Sequence, residues 1–114
     1  TGVAVMLAAD VPVRGLVLDS PYESIAAIAS GRYWWLPVDL LMRDPFRAAD
    51  AAPKVKAPVL AFACTDDWLT PYAGAQRLVD LLAGRKRLIT FNRRCHIPGM
   101  AGAGDEVMAF IAGL

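Results

Sequence analysis

Short apolar runs, separated by helix-compatible stretches, limit what this chain can fold into more than any other feature. Residues 14–19 contain Leu16-Val17-Leu18, whose apolar side chains do not alternate with polar ones. Such a run reads as a strand buried on both faces. Residues 58–64 and 87–91 carry similar runs, Val59-Leu60-Ala61-Phe62-Ala63 and Leu88-Ile89-Thr90-Phe91. Helical patterns occupy residues 1–9, 72–83 and 105–111. Short strands alternating with helices imply an α/β fold, a parallel sheet covered on both faces.

Local signals mark the ends of these elements. Ser20-Pro21-Tyr22-Glu23 has the form of a helix start, with Ser20 as N-cap and Pro21 in the first helical position. Gly84 stands where a C-terminal cap closes the helix over residues 72–83, and Gly113 follows the last helix. Residues 31–52 differ in texture. Tyr33-Trp34-Trp35-Leu36-Pro37 precedes a short amphipathic segment, and Asp44-Pro45-Phe46 restarts the chain. That stretch reads as a short helical insertion lying over the sheet.

The chain has 114 residues, so it forms one domain at most. Its hydrophobic fraction, 56%, exceeds what so short a chain can readily hide. It also opens at Thr1 and runs at once into an apolar helical stretch. An Ala-rich core is one reading of these features; a piece of a larger sheet protein is the one expected here. A net charge of +1 gives no bulk attraction to nucleic acid or an acidic membrane. No apolar run approaches the ~20 residues of a membrane-spanning helix, so no stable membrane insertion is expected.

Polar residues of chemical interest fall at the strand ends. In open α/β sheets, functional groups collect beyond the carboxyl ends of the strands. Asp19, Asp67 and His96 all lie there, and His96 is the chain's single histidine. Asp67 and His96 follow successive strands with one helix between them. This connectivity sets an acid beside an imidazole, the rear two-thirds of a hydrolytic triad. Cys64 and Cys95 precede them, at the ends of neighbouring strands. Two cysteines do not make a disulfide framework; although a contact between them is conceivable, we read both as reduced, buried thiols of a cytoplasmic protein. Neither Cys-x-x-Cys nor His-x-x-x-His spacing occurs around these residues, so no metal site and no cofactor is expected.

In this order and spacing the segments resemble the α/β-hydrolase family, near its serine aminopeptidase and monoacylglycerol-lipase-like group. The resemblance covers nearly all of the chain as the C-terminal part of that fold. Pro58-Val59-Leu60-Ala61-Phe62-Ala63-Cys64-Thr65-Asp66-Asp67-Trp68-Leu69-Thr70-Pro71 is similar to the family's acid-bearing strand and its Gly-x-Asp-x-x-Val-Pro turn. Counting back from Pro71 puts the acid on Asp67, with Asp66 a one-residue slip away and a backbone-bonding turn residue. Thr65 replaces the common Gly and Thr70 the common Val. Arg94-Cys95-His96 resembles the histidine loop, with Asn92-Arg93 in place of small residues. Residues 1–9 look like the helix that leaves the nucleophile elbow, a Gly-x-Ser-x-Gly turn.

The resemblance implies a serine-type hydrolase of carboxylic esters, with amides and peptides as alternatives, acting on a small-molecule acyl substrate. Asp67 and His96 would be its acid and base. The nucleophile and oxyanion donors would lie upstream of Thr1. Tyr22, Trp34, Trp35 and Trp68 are candidates for an apolar acyl pocket; the tryptophans equally fit packing of the insertion onto the sheet. Two alternatives stay open at this level: a non-catalytic hydrolase-like module, and a relative with an aspartate nucleophile, as in dehalogenases or epoxide hydrolases.

Overall fold

The computed structural model describes residues 1–99 and 102–114. In chain order the elements are α1 (Gly2–Asp10), β1 (Leu16–Asp19), α2 (Ile25–Arg32), α3 (Val38–Leu41), α4 (Ala48–Ala51), a 3-10 turn (Ala52–Lys54), β2 (Val59–Cys64), α5 (Tyr72–Leu81), β3 (Lys86–Phe91) and α6 (Gly104–Ala112). The strands form one parallel sheet in the order β1-β2-β3. Leu16 is paired with Val59 at one end of the first ladder, and Cys64 with Phe91 at the end of the second.

Only the central strand is buried along its whole length, every residue of β2 being out of solvent. Its side chains alternate between two cores, as the pleat requires. Val59 and Ala61 enter a cluster with Val5 of α1, Ala48 of α4, Val55, and Leu78 and Val79 of α5. Leu60 and Phe62 point to the opposite face, against Ala103 and the partly buried Val107 and Phe110 of α6. Helices therefore cover both faces, and the α/β reading of the sequence holds.

Several local expectations give way. β1 is not buried on both faces; Leu18 is buried, but Val17, on the opposite face, is 39% exposed. The helix after β1 starts later than Ser20. Its N-cap is Ser24, whose hydroxyl accepts from the Ala27 amide at 2.9 Å. Ser20 instead stands at φ 48° and turns the chain away from the strand. Gly84 is no cap either, since α5 is capped by Leu82. A Cβ at Gly84 would lie 2.3 Å from the Ala57 carbonyl oxygen, so close backbone approach requires the glycine. The stretch 31–52 is mixed: Ala48 and Ala52 are fully buried in the core, whereas Trp34 is 84% exposed.

The cysteines are the largest correction. Cys64 and Cys95 form a disulfide, with Cα atoms 5.6 Å apart. The expected free thiols give way because Cys64 ends β2 and Cys95 lies in the loop after β3, its parallel neighbour, which brings the two sulfurs within bonding reach.

Candidate active site

Parallel strands deliver the loops after β1, β2 and β3 to one edge of the sheet, and the candidate residues lie there. β2 ends at Cys64, and the chain then turns through residues 65–71 before α5. Asp67 organises that turn. Its Oδ1 accepts from the Leu69 amide at 2.8 Å and the Thr70 amide at 2.9 Å, and its Oδ2 accepts from Thr70 Oγ1 at 2.8 Å. An aspartate bonding amides two and three residues ahead is a common local turn solution.

The same Oδ2 lies 2.8 Å from His96 Nδ1. The carboxylate side chain is 2% exposed and the imidazole 20%. Burial pushes the Asp67 carboxyl up; the bonds from His96, from the Thr70 and Leu69 amides and from the Thr70 hydroxyl outweigh it, and the net pKa lies below the ordinary value. Asp67 is thus held ionised, and an ionised carboxylate only accepts. The proton of the His96–Asp67 bond therefore sits on Nδ1, so that in the neutral ring Nε2 carries the lone pair. An imidazole oriented in this tautomer is prepared to take a proton at Nε2.

Beside the imidazole is a cleft of about 450 Å³, walled by Thr1, Ser20, Tyr22, Ile28, Leu69 and His96 among others. The start of α1 opens onto it. Trp68 packs beside the imidazole with ring centroids 5.9 Å apart. Of the aromatic candidates, Tyr22 lines the cleft and Trp68 borders the histidine, whereas Trp34 and Trp35 lie outside its wall and are exposed. A second cleft of about 400 Å³, lined by Met6, Phe46 and Lys54, contains neither Asp67 nor His96.

Asp66 is exposed, and the turn-bonding role expected of it belongs to Asp67. Thr70 is the residue sequence reading undervalued. It departs from the family pattern, yet it is 6% exposed and its hydroxyl bonds the acid. A Thr three residues beyond an Asp was the available signal. Asp19, at the end of β1, accepts from the Gly99 amide through its Oδ1 at 3.1 Å. Among the described residues, no group of three or more His, Cys, Asp or Glu side chains is arranged to hold a metal ion.

No family model matches the chain. The uncharacterized protein Rv2307c of Mycobacterium tuberculosis and its counterpart in a second strain are each 34% identical over 106 residues, 93% of this chain but 36% of theirs. The chain thus spans about a third of the length of these curated relatives. Solved structures are similar over nearly all of it. An acetyl xylan esterase from Paenibacillus superposes with a TM-score of 0.73 at 17% identity, over 98% of this chain and 42% of the esterase. An esterase of Pyrococcus furiosus gives 0.67 at 15% identity, over 98% and 48%. An α/β hydrolase from a deep-sea metagenome gives 0.66 at 15% identity, over 98% and 60%.

The fold is that of an α/β hydrolase. The three parallel strands with their helices form the C-terminal portion of it. At these identities the likeness carries the architecture, and the chemistry has to be argued from the residues.

Proposed function

We propose that this chain supplies the acid and base of a serine-type hydrolase of carboxylic esters. The observation that carries the reading is the buried Asp67 carboxylate 2.8 Å from His96 Nδ1, in an imidazole that also walls a cleft. His96 takes the proton of a nucleophilic hydroxyl as it attacks the ester carbonyl, then returns it to the leaving alkoxide. Asp67 keeps Nδ1 protonated and stabilises the imidazolium between the two transfers. The nucleophile and the amides that bind the oxyanion come from chain preceding Thr1, next to the start of α1, which opens onto the same cleft.

The substrate is a small acyl ester. The cleft wall is mainly apolar, with Ile25, Ile28 and Leu69 beside Tyr22, and suits an acyl chain better than a charged group. Esterases among the structural neighbours agree with that class. No helix among the described residues is long and apolar enough to cross a membrane. The cytoplasmic expectation rested on free thiols; with Cys64 and Cys95 paired, an oxidising compartment fits better.

The test uses the full-length protein. It should hydrolyse short p-nitrophenyl esters, and a serine-directed fluorophosphonate should label one residue upstream of Thr1. His96→Ala should lower kcat on the order of 10⁶-fold, as when a triad base is deleted. Full turnover in His96→Ala would refute the assignment.

A further inference from the structure

Ser20 has a partner that no step of the triad chemistry uses. It is 4% exposed and stands at φ 48°, in the left-handed region that side-chain-bearing residues adopt only against a steric penalty. Ile97, immediately after His96, stands at φ 58°, where a β-branched residue is an outlier. These two strained residues are bonded to each other, the Ile97 amide donating to Ser20 Oγ at 3.1 Å. Two residues on, the Gly99 amide donates to the Asp19 carboxylate. A Cβ at Gly99 would lie 2.9 Å from Asp19 Oδ2 and 2.8 Å from a Phe62 ring carbon, so only glycine permits that approach.

Backbone strain persists where the surroundings over-determine it, and such places cluster at functional sites. Here the strained pair brackets the base. His96 is preceded by Cys95, which is tied to β2 by the disulfide, and followed by Ile97, which is tied to the end of β1. The bond to Asp67 alone leaves the ring free to pivot about a single contact. Anchoring both neighbours of His96 removes that freedom, because the Cα from which the ring projects can no longer shift.

We propose that Ser20 is a positioning residue for His96: its hydroxyl holds the Ile97 amide and so fixes the backbone that aims the imidazole into the cleft. The effect on rate rests on the hydrolase reading; the effect on the loop does not. Serine suits the place because a short side chain can offer an acceptor from a left-handed turn. Alanine would keep the strain and lose the acceptor, whereas glycine would lose both.

This difference supplies the test, made in the full-length protein with Ser20→Ala and Ser20→Gly. Both should lower kcat about 10- to 100-fold with little change in KM, as expected for a displaced catalytic group. Thermal stability should separate them, with Ser20→Gly melting above Ser20→Ala because the backbone penalty is gone. A merely structural serine would instead recover activity together with stability in the glycine variant. Hydrogen exchange at the Ile97 amide, read by NMR, should quicken in both variants whatever the turnover. A wild-type protein without esterase activity would therefore defeat the hydrolase reading and leave the exchange result to decide the positioning. Full kcat in Ser20→Gly, or Ile97 exchange unchanged in both variants, overturns the proposal.

Discussion

The loop that carries the acid and the loop that carries the base are built on opposite plans. Residues 67–70 carry their own turn: Asp67 bonds the Leu69 and Thr70 amides and the Thr70 hydroxyl, all within three positions along the chain. Residues 92–99 are held from outside. Cys95 is bridged to β2, the Ile97 and Gly99 amides go to Ser20 and Asp19 of the loop after β1 and its last strand residue, and His96 reaches back to Asp67. A self-supporting turn is encoded by neighbours in sequence. An externally held loop takes its shape only when the sheet has brought three strand ends together. The acid can therefore be set locally, while the base is positioned by tertiary structure.

The sharpest way to break this comparison is to attack the acid. In the full-length enzyme, Asp67→Asn should lower kcat by about 10⁴-fold, since an amide no longer fixes the Nδ1-protonated tautomer. Asp66→Asn should cost far less, because the exposed Asp66 bonds neither the turn nor the imidazole. Steady-state kinetics on a p-nitrophenyl ester would separate them, and a reversed ranking would move the acid by one residue.

What could be read from sequence follows the same division. The alternation of apolar runs and helical segments yielded the parallel sheet, because burial imposes period and length on strands locally. Asp67 could be chosen over Asp66 because Pro71 ends the turn at a fixed spacing. Ser20 could not be understood in this way. Its hydroxyl acts on an amide 77 positions away, and beside Pro21 the local signal favours a helix cap. The disulfide was missed for a related reason: proximity of two strand ends is a property of the sheet, not of either segment. Trp34 and Trp35 show a different limit, since both are exposed and neither lines the cleft beside His96. A cluster of aromatic residues suits a pocket wall by composition, yet nothing in composition says which way its loop faces.

A smaller effect is expected from the bridge that holds the base. Closing a loop with a sequence separation of 31 should stabilise the fold by about 3–4 kcal/mol on chain-entropy grounds. Replacing both cysteines by serine in the full-length protein should remove that amount in urea unfolding. Since Cys95 adjoins His96, kcat should fall too, by about 10-fold, while the Asp67 turn keeps its local bonds. If the double variant kept full stability and full rate, the histidine loop would not depend on its outside supports.

The smallest effect tests the self-supporting half. Thr70→Val preserves shape and removes the hydroxyl that donates to Asp67 Oδ2, leaving the two amides and His96 in place. Losing one such bond should cost about 1–2 kcal/mol. Its pH dependence has a definite sign. Asp67 is held below its ordinary value of 3.8, so its contribution to stability is fully present above that value and is lost as pH falls through the lower folded-state pKa. Removing a donor moves the folded-state pKa back up. The variant should therefore differ most from the parent near neutral pH, and the two stability curves should converge as both Asp67 carboxylates protonate. Urea unfolding from about pH 7 down to about pH 2 would show this convergence. A gap independent of pH would mean that Thr70 acts through packing alone, and that the acid turn needs only its backbone amides to hold the carboxylate.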